Sequence, residues 1–198
     1  MRLLRNLFIG TAGRHGNSCI DPGSHFHADH VGGLKDFDSA VIHCSREACL
    51  KVLQAGRYGG FARGILKSLI PGNIGQRVRL VEECGRPFND RVFGMVYDLF
   101  GDGSLIVVPL PGHAAGQIGL RFQTSERAWF LISDAAFTMQ SVRTLTMPGH
   151  AARLITRSWK EYRGILKKLH AFHLANPDVE MVPSHCLETY QRLVRSNT

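Results

Sequence analysis

A chain of 198 residues is long enough for one domain with a sizeable core, and 44% apolar with 20% charged residues is the make-up of a globular protein. The formal charge of +8 favours anionic partners, but no block of five like charges occurs, so a solvated basic surface is expected rather than a nucleic-acid partner. Five cysteines without CxxC spacing argue against a disulfide framework and for a reducing compartment, and no apolar stretch could span a bilayer, so a cytoplasmic protein without membrane contact is expected.

Met1 to Gly10 is basic and then apolar, but its apolar run is too short for an export core. Residues 1–23 are punctuated by Gly10, Gly13, Gly16, Pro22 and Gly23 and read as an irregular N-terminal segment, with 24–198 as the folded domain. In Cys19-Ile20-Asp21-Pro22-Gly23 the proline and glycine oppose a central strand. Three imidazoles and a carboxylate then fall within His25-Phe26-His27-Ala28-Asp29-His30, with Gly32 and Gly33 close behind. Neutral imidazole and ionised carboxylate are ligands for zinc and similar ions. His25 and His27 point the same way only if their segment is extended; Asp29 and His30 must then turn away, so one loop could serve two adjacent ions.

A helix should begin within Val31 to Asp36. Ala40 to Cys44 reads as a short strand, and Ser45 as the N-cap of a helix through about Ala55. Gly56, Gly59, Gly60 and Gly64 mark a loop, either on the substrate side or an ordinary surface excursion. Ile65 to Ile70 reads as a helical turn or two, and Val78 to Val81 as an edge strand. Strands are expected at Val92–Asp98, Ser104–Pro109 and Gln117–Phe122, with a turn at Asp102-Gly103. Ala128 to Ile132 is apolar throughout and therefore expected to be central. His113 and Asp134 each follow the end of a strand. Ser158 to Asn176 is the clearest helix; its His170 and His173 lack a third partner and read as structural. Val179 to Val182 is the last strand, and a short helix covers Glu188 to Ser196. Cys186 reads as a small buried hydrophobe.

The HxHxDH run from His25 to His30 resembles the signature of the metallo-β-lactamase superfamily. His113 in Pro111-Gly112-His113, Asp134 in Ser133-Asp134-Ala135 and His185 in Pro183-Ser184-His185 match the family's later sites in order and residue type, over roughly Ser24 to Leu187. The resemblance implies an α/β (α+β) fold, a metallo-β-lactamase-like αββα sandwich, here lacking much of the N-terminal sheet. It implies two divalent ions, with zinc the default and manganese or iron also fitting. His25, His27 and His113 would hold the first ion, Asp29, His30 and His185 the second, and Asp134 would bridge them.

A hydroxide shared by the ions would attack a small carboxylic ester, Asp29 would orient it and take up a proton, and Asp29 and Asp134 would be the catalytic carboxylates. The bridging Asp134 resembles the lactonases, the glyoxalase II-like thioesterases and the nucleases rather than the true β-lactamases. Asp98 to Ser104 and the stretch after Asp134 look like the lactonase branch, so a lactone is favoured; thioester hydrolysis, phosphodiester cleavage and a truncated non-catalytic member are the alternatives. The quorum-signal lactonases carry a tyrosine where this chain has Phe137, so a phenol would have to come from Tyr58, Tyr97, Tyr162 or Tyr190. A missing N-terminal sheet would expose an edge to another chain, so a homo-oligomer is compatible with the sequence.

Overall fold

The computed structural model describes residues 21–22, 24–37, 40–55 and 64–195. Most of the 1–23 segment, the glycine-rich stretch at 56–63 and Tyr58 lie outside them. Strand β1 (Asp21–Pro22) leads into helix α1 (Ala28–Val31), followed by β2 (Ile42–Cys44), α2 (Arg46–Gln54), α3 (Ile74–Arg77), β3 (Val78–Leu80) and α4 (Val81–Cys84). β1, β2 and β3 form a three-stranded parallel sheet in that order. The lead-in thus does form a strand, but a two-residue edge strand, which is where a proline that cannot donate is tolerated. Ile42, Cys44, Ala48, Val52, Leu34 and Phe26 gather into one apolar cluster on this sheet. Ser45 caps α2 as expected, accepting from the Ala48 N–H at 3.1 Å. Between Ile65 and Ile70 only Lys67–Leu69 is helical, as a 3-10 turn.

The second sheet has six strands in sequence order: β4 (Arg86–Asp90), β5 (Gly94–Asp98), β6 (Leu105–Pro109), β7 (Ile118–Gln123), β8 (Ala128–Ser133) and β9 (Val179–Pro183). All pairs are antiparallel except β8 with β9, whose parallel pairing requires a crossover. That crossover contains α5 (Met139–Thr144) and α6 (Trp159–Ala175); α7 (Leu187–Arg195) follows β9. Two details differ from the sequence reading. The strand expected from Val92 starts at Gly94: Asp90 Oδ1 accepts the Val92 and Phe93 N–H groups at 2.8 and 2.9 Å and makes those residues a turn. The overlooked β4 is an exposed edge strand whose Arg-Pro-Phe-Asn-Asp sequence has no apolar alternation. The apolar β8 is interior to the sheet, paired with β7 on one side and β9 on the other, as expected.

Burial on both faces explains the apolar run of β8. Phe130 and Ile132 join Val96, Val108 and Met181 under Ile165, Leu166, Leu169 and Phe172 of α6. Trp129 and Leu131 point the other way, with Leu105, Val107, Ile118, Leu120 and Leu193. Truncating the fully buried Phe130 to alanine would cost about 3–5 kcal/mol. Ser158 accepts from the Glu161 N–H and starts α6, and His170 bonds the Val142 carbonyl at 2.9 Å, tying α5 to α6. Among the described residues no helix is long and apolar enough to cross a membrane.

Candidate metal centre

Four separate segments deliver the seven side chains singled out in the sequence. His25 and His27 follow β1; His27 is extended (φ −68°, ψ 152°), and the chain then turns into α1, which carries Asp29 and His30. His27 is backed by Gly64, where a Cβ would lie 2.9 Å from the ring at a φ of +75°. The Ala28 N–H donates to the Gly64 carbonyl. His113 lies on the loop between β6 and β7, which is held from two sides. From α2, Ser45 Oγ donates to the Gly116 carbonyl at 2.7 Å and Glu47 accepts the Gly116 N–H at 3.0 Å. From the start of α6, the Arg157 and Ser158 N–H groups donate to the His113 and Gly112 carbonyls, each at 2.9 Å. Asp134 follows β8 directly after Ser133, which is left-handed (φ 51°), and His185 follows β9.

These side chains form two groups, His25 with His27 and His113, and Asp29 with His30, Asp134 and His185, each able to present its donor atoms to one ion. Asp134 Oδ2 faces both groups: it lies 3.3 Å from His113 Nε2, 3.3 Å from His30 Nε2, 3.5 Å from His185 Nε2 and 3.9 Å from His25 Nε2. His113 Nε2 and His27 Nδ1 are 3.0 Å apart, and Asp29 Oδ2 is 3.2 Å from His185 Nε2. His25, His113 and Asp134 are buried, whereas the Asp29 and His185 side chains are 55% and 49% exposed, so the second group faces solvent.

The electrostatics suit a cation. Burial, with the neighbouring His30 imidazole adding to it, pushes His25 down to about 2. Burial likewise lowers His113 to about 4, against the Asp134 carboxylate, which pulls it up. Burial would raise Asp134, but the His30 hydrogen bond and the surrounding imidazoles hold its carboxyl well below the usual range. At neutral pH the buried donors are therefore two neutral imidazoles and one carboxylate. His25 Nε2 and Asp134 Oδ1 are buried with no hydrogen-bond partner among the described residues. Such groups are costly to leave unsatisfied, and a divalent ion would satisfy them. The donor set fits a metal.

Two contributors, Ser24 and Ser133, had no signal in the sequence. Ser24 Oγ and Ser133 Oγ both lie 3.3 Å from His25 Nδ1 and fix that ring. Phe137 stacks edge-on against His113 at 5.4 Å and lies 6.3 Å from the His185 ring. Of the described tyrosines, Tyr162 lies beside Phe137, at 6.3 Å between rings, and it is buried. His170 and His173 belong to neither donor group. Cys186 is buried, as expected, and accepts the Met139 N–H. A cavity of about 370 Å³ adjoins the first group at His27 and His113; Phe26, Ala48, Lys51, Ala55 and Ile65 form part of its wall.

No family model matches this sequence. Among curated proteins the chain is similar to a probable metallo-hydrolase of Mycobacterium bovis, 26% identical over 181 residues covering 85% of this chain and 54% of that protein. It is also 26% identical to the N-acyl homoserine lactonase AttM of Azorhizobium caulinodans, over 81% of this chain and 58% of that one. The chain therefore spans little more than half the length of the curated relatives it matches. In three dimensions it resembles a B. thuringiensis AiiA variant with N-decanoyl-L-homoserine bound at its active site. The TM-score is 0.63 at 18% identity, over 87% of this chain and 57% of the other. The chain has the metallo-β-lactamase fold, and the proteins it is similar to include lactonases.

Proposed function

We propose that this chain is a divalent-metal-dependent hydrolase of small carboxylic esters, with a lactone favoured over a thioester. The observation that carries this reading is the meeting of the seven donors, with one Asp134 oxygen within 3.5 Å of imidazoles from both groups. His25, His27 and His113 would hold one ion, Asp29, His30 and His185 a second, with Asp134 between them; zinc suits these donors best, and manganese or iron also fit. Similarity to AttM, a lactonase, and to AiiA with an acyl homoserine bound supports the lactone.

Divalent ions in this cage supply Lewis acidity, polarising an ester carbonyl and lowering the pKa of water. The chain supplies the rest. Buried Asp134, held ionised, offsets the positive charge and fixes the imidazoles around it. Asp29 stands on the open side, where its carboxylate accepts the proton of the attacking water and returns it to the leaving oxygen. Phe137 walls one side without offering a hydrogen bond, and the cavity beside His27 and His113 seats the substrate's acyl part. Phe137 favours the thioesterase reading, because it leaves the lactone carbonyl without a donor at that place.

The test is metal content by mass spectrometry after zinc reconstitution, followed by turnover on a panel of lactones and thioesters. The proposal expects two ions per chain and lactone turnover that disappears in His113→Ala and Asp134→Asn. Less than one ion bound at neutral pH, or a metal-loaded chain inert on the whole panel, would refute it.

A further inference from the structure

The wall of the cavity beside His27 and His113 is uneven in a way that selects for substrate charge. Helix α2 presents Ala48 and Lys51 three residues apart, and its extended C-cap Ala55 follows, so two small side chains leave space and one long one lines it. Phe26 and Ile65, both buried, extend the apolar wall. Among the described residues two cationic side chains, Lys51 and Arg157, border the cavity, and they are not equivalent. Arg157 is neutralised by Glu47 at 2.7 Å and Glu161 at 3.2 Å. Lys51 is half-buried and has no ion pair or hydrogen bond with any described residue. A lysine whose stem is half-buried beside an apolar cavity can offer its ammonium to an anion on a ligand seated there.

We infer that Lys51 determines specificity: the site takes esters whose apolar acyl part carries a carboxylate, the apolar part lying along Phe26, Ala48, Ala55 and Ile65 and the carboxylate on the Lys51 ammonium. This rests on the ester-hydrolase reading of the neighbouring site. One ammonium without an ion pair among the described residues matches one negative charge. A phosphate dianion would call for clustered guanidinium groups or a helix N-terminus, and the guanidinium that borders the cavity among the described residues is already engaged by two carboxylates. A cavity of about 370 Å³ has room for a small acyl chain with its charged end inside.

The test compares two substrates of one skeleton, the nitrophenyl monoester of adipic acid and the methyl ester of that compound, in which the charge is masked. A nitrophenyl ester bearing a phosphate forms a third arm. With the zinc-loaded chain, the carboxylate-bearing ester should exceed its methyl ester about tenfold in kcat/KM, chiefly through KM, a difference of about 1.4 kcal/mol. In Lys51→Met the ratio should fall to near one, and in Lys51→Glu below one; Lys160→Met removes the same charge from outside the cavity and should keep the wild-type ratio. A ratio that Lys51→Met and Lys51→Glu leave unchanged overturns the inference, and so does a stronger preference for the phosphate-bearing ester. If neither adipate ester is turned over, calorimetry with hexanoate and hexanamide in the presence of chelator separates the two readings. Hexanoate binding that weakens at least fivefold in Lys51→Glu upholds the anion site while the hydrolase reading fails. Equal binding of both ligands by all variants removes the anion site as well.

Discussion

Gly112 is the tightest joint between the loop that carries His113 and the helix behind it. Its φ is +137°, and a methyl group built there would lie 2.4 Å from Tyr162 N and 2.5 Å from Tyr162 Cα. Both are backbone atoms in the first turn of α6, so no side-chain rotation relieves the clash. Because the Ser158 and Arg157 amides hold the Gly112 and His113 carbonyls, relief must draw α6 away from the loop. Gly112→Ala thus combines about 1–3 kcal/mol of backbone strain with about 1–3 of overpacking, less about 0.4–1 from a stiffer unfolded chain. The net loss, about 1–5.6 kcal/mol, corresponds to roughly 2–22 °C in Tm for a chain of this size. Urea and thermal unfolding in chelator measure it free of any metal contribution. Gly149→Ala is the control: its backbone is in an ordinary extended region and nothing lies within 4 Å of an added Cβ, so it should lose nothing. With zinc restored, the displaced His113 should weaken metal affinity about 10- to 100-fold. A Gly112→Ala protein with the wild-type urea midpoint would refute the close-packing argument.

Two further outcomes follow from the same geometry. Without metal, His113 titrates near 6.5 unfolded and about 4 folded, and His25 drops further, to about 2. The unfolded chain therefore takes up protons that the folded one refuses, and stability should fall as pH drops from 6.5 towards 4, by about 1.4 kcal/mol per pH unit for each histidine. Asp134 acts at lower pH, where its contribution, present above 3.8, is lost as pH falls through its depressed folded value. A flat Tm between pH 7 and 5 in chelator would contradict the burial of neutral imidazoles. Ser45→Ala removes both the α2 cap and the bond to the Gly116 carbonyl, so it should cost about 1–2 kcal/mol and accelerate hydrogen exchange at the Ala48 amide. Unchanged exchange there would discount the cap.

The ligand-type residues were legible because their chemistry is local. Histidines two apart followed by Asp and His have few structural reasons to recur, and His113, Asp134 and His185 each follow a readable strand. Helix α6 was legible from its apolar spacing, since Ile165, Leu166, Leu169 and Phe172 pack against the sheet and Tyr162 is buried against the loop carrying His113. What escaped depends on pairing across the sequence. Strand β4 has Pro87 in it and no apolar alternation, and only its pairing with β5 makes it a strand. Glu47 and Gly116 lie far apart in sequence, so nothing in either stretch announces their bond. Lys51 has the pattern of a solvated helix face until Phe26, Ile65 and His113 are placed around the same cavity.

The donors run from His25 to His185, and they meet only after β9 has joined β8. A cation gripped by all of them would act as a removable tether between segments far apart in the chain, opposing their separation in proportion to its occupancy. Assembly has a direction too: a nascent chain not yet extended past β8 owns the three-imidazole group but lacks His185, so the second group is complete only once β9 has been made.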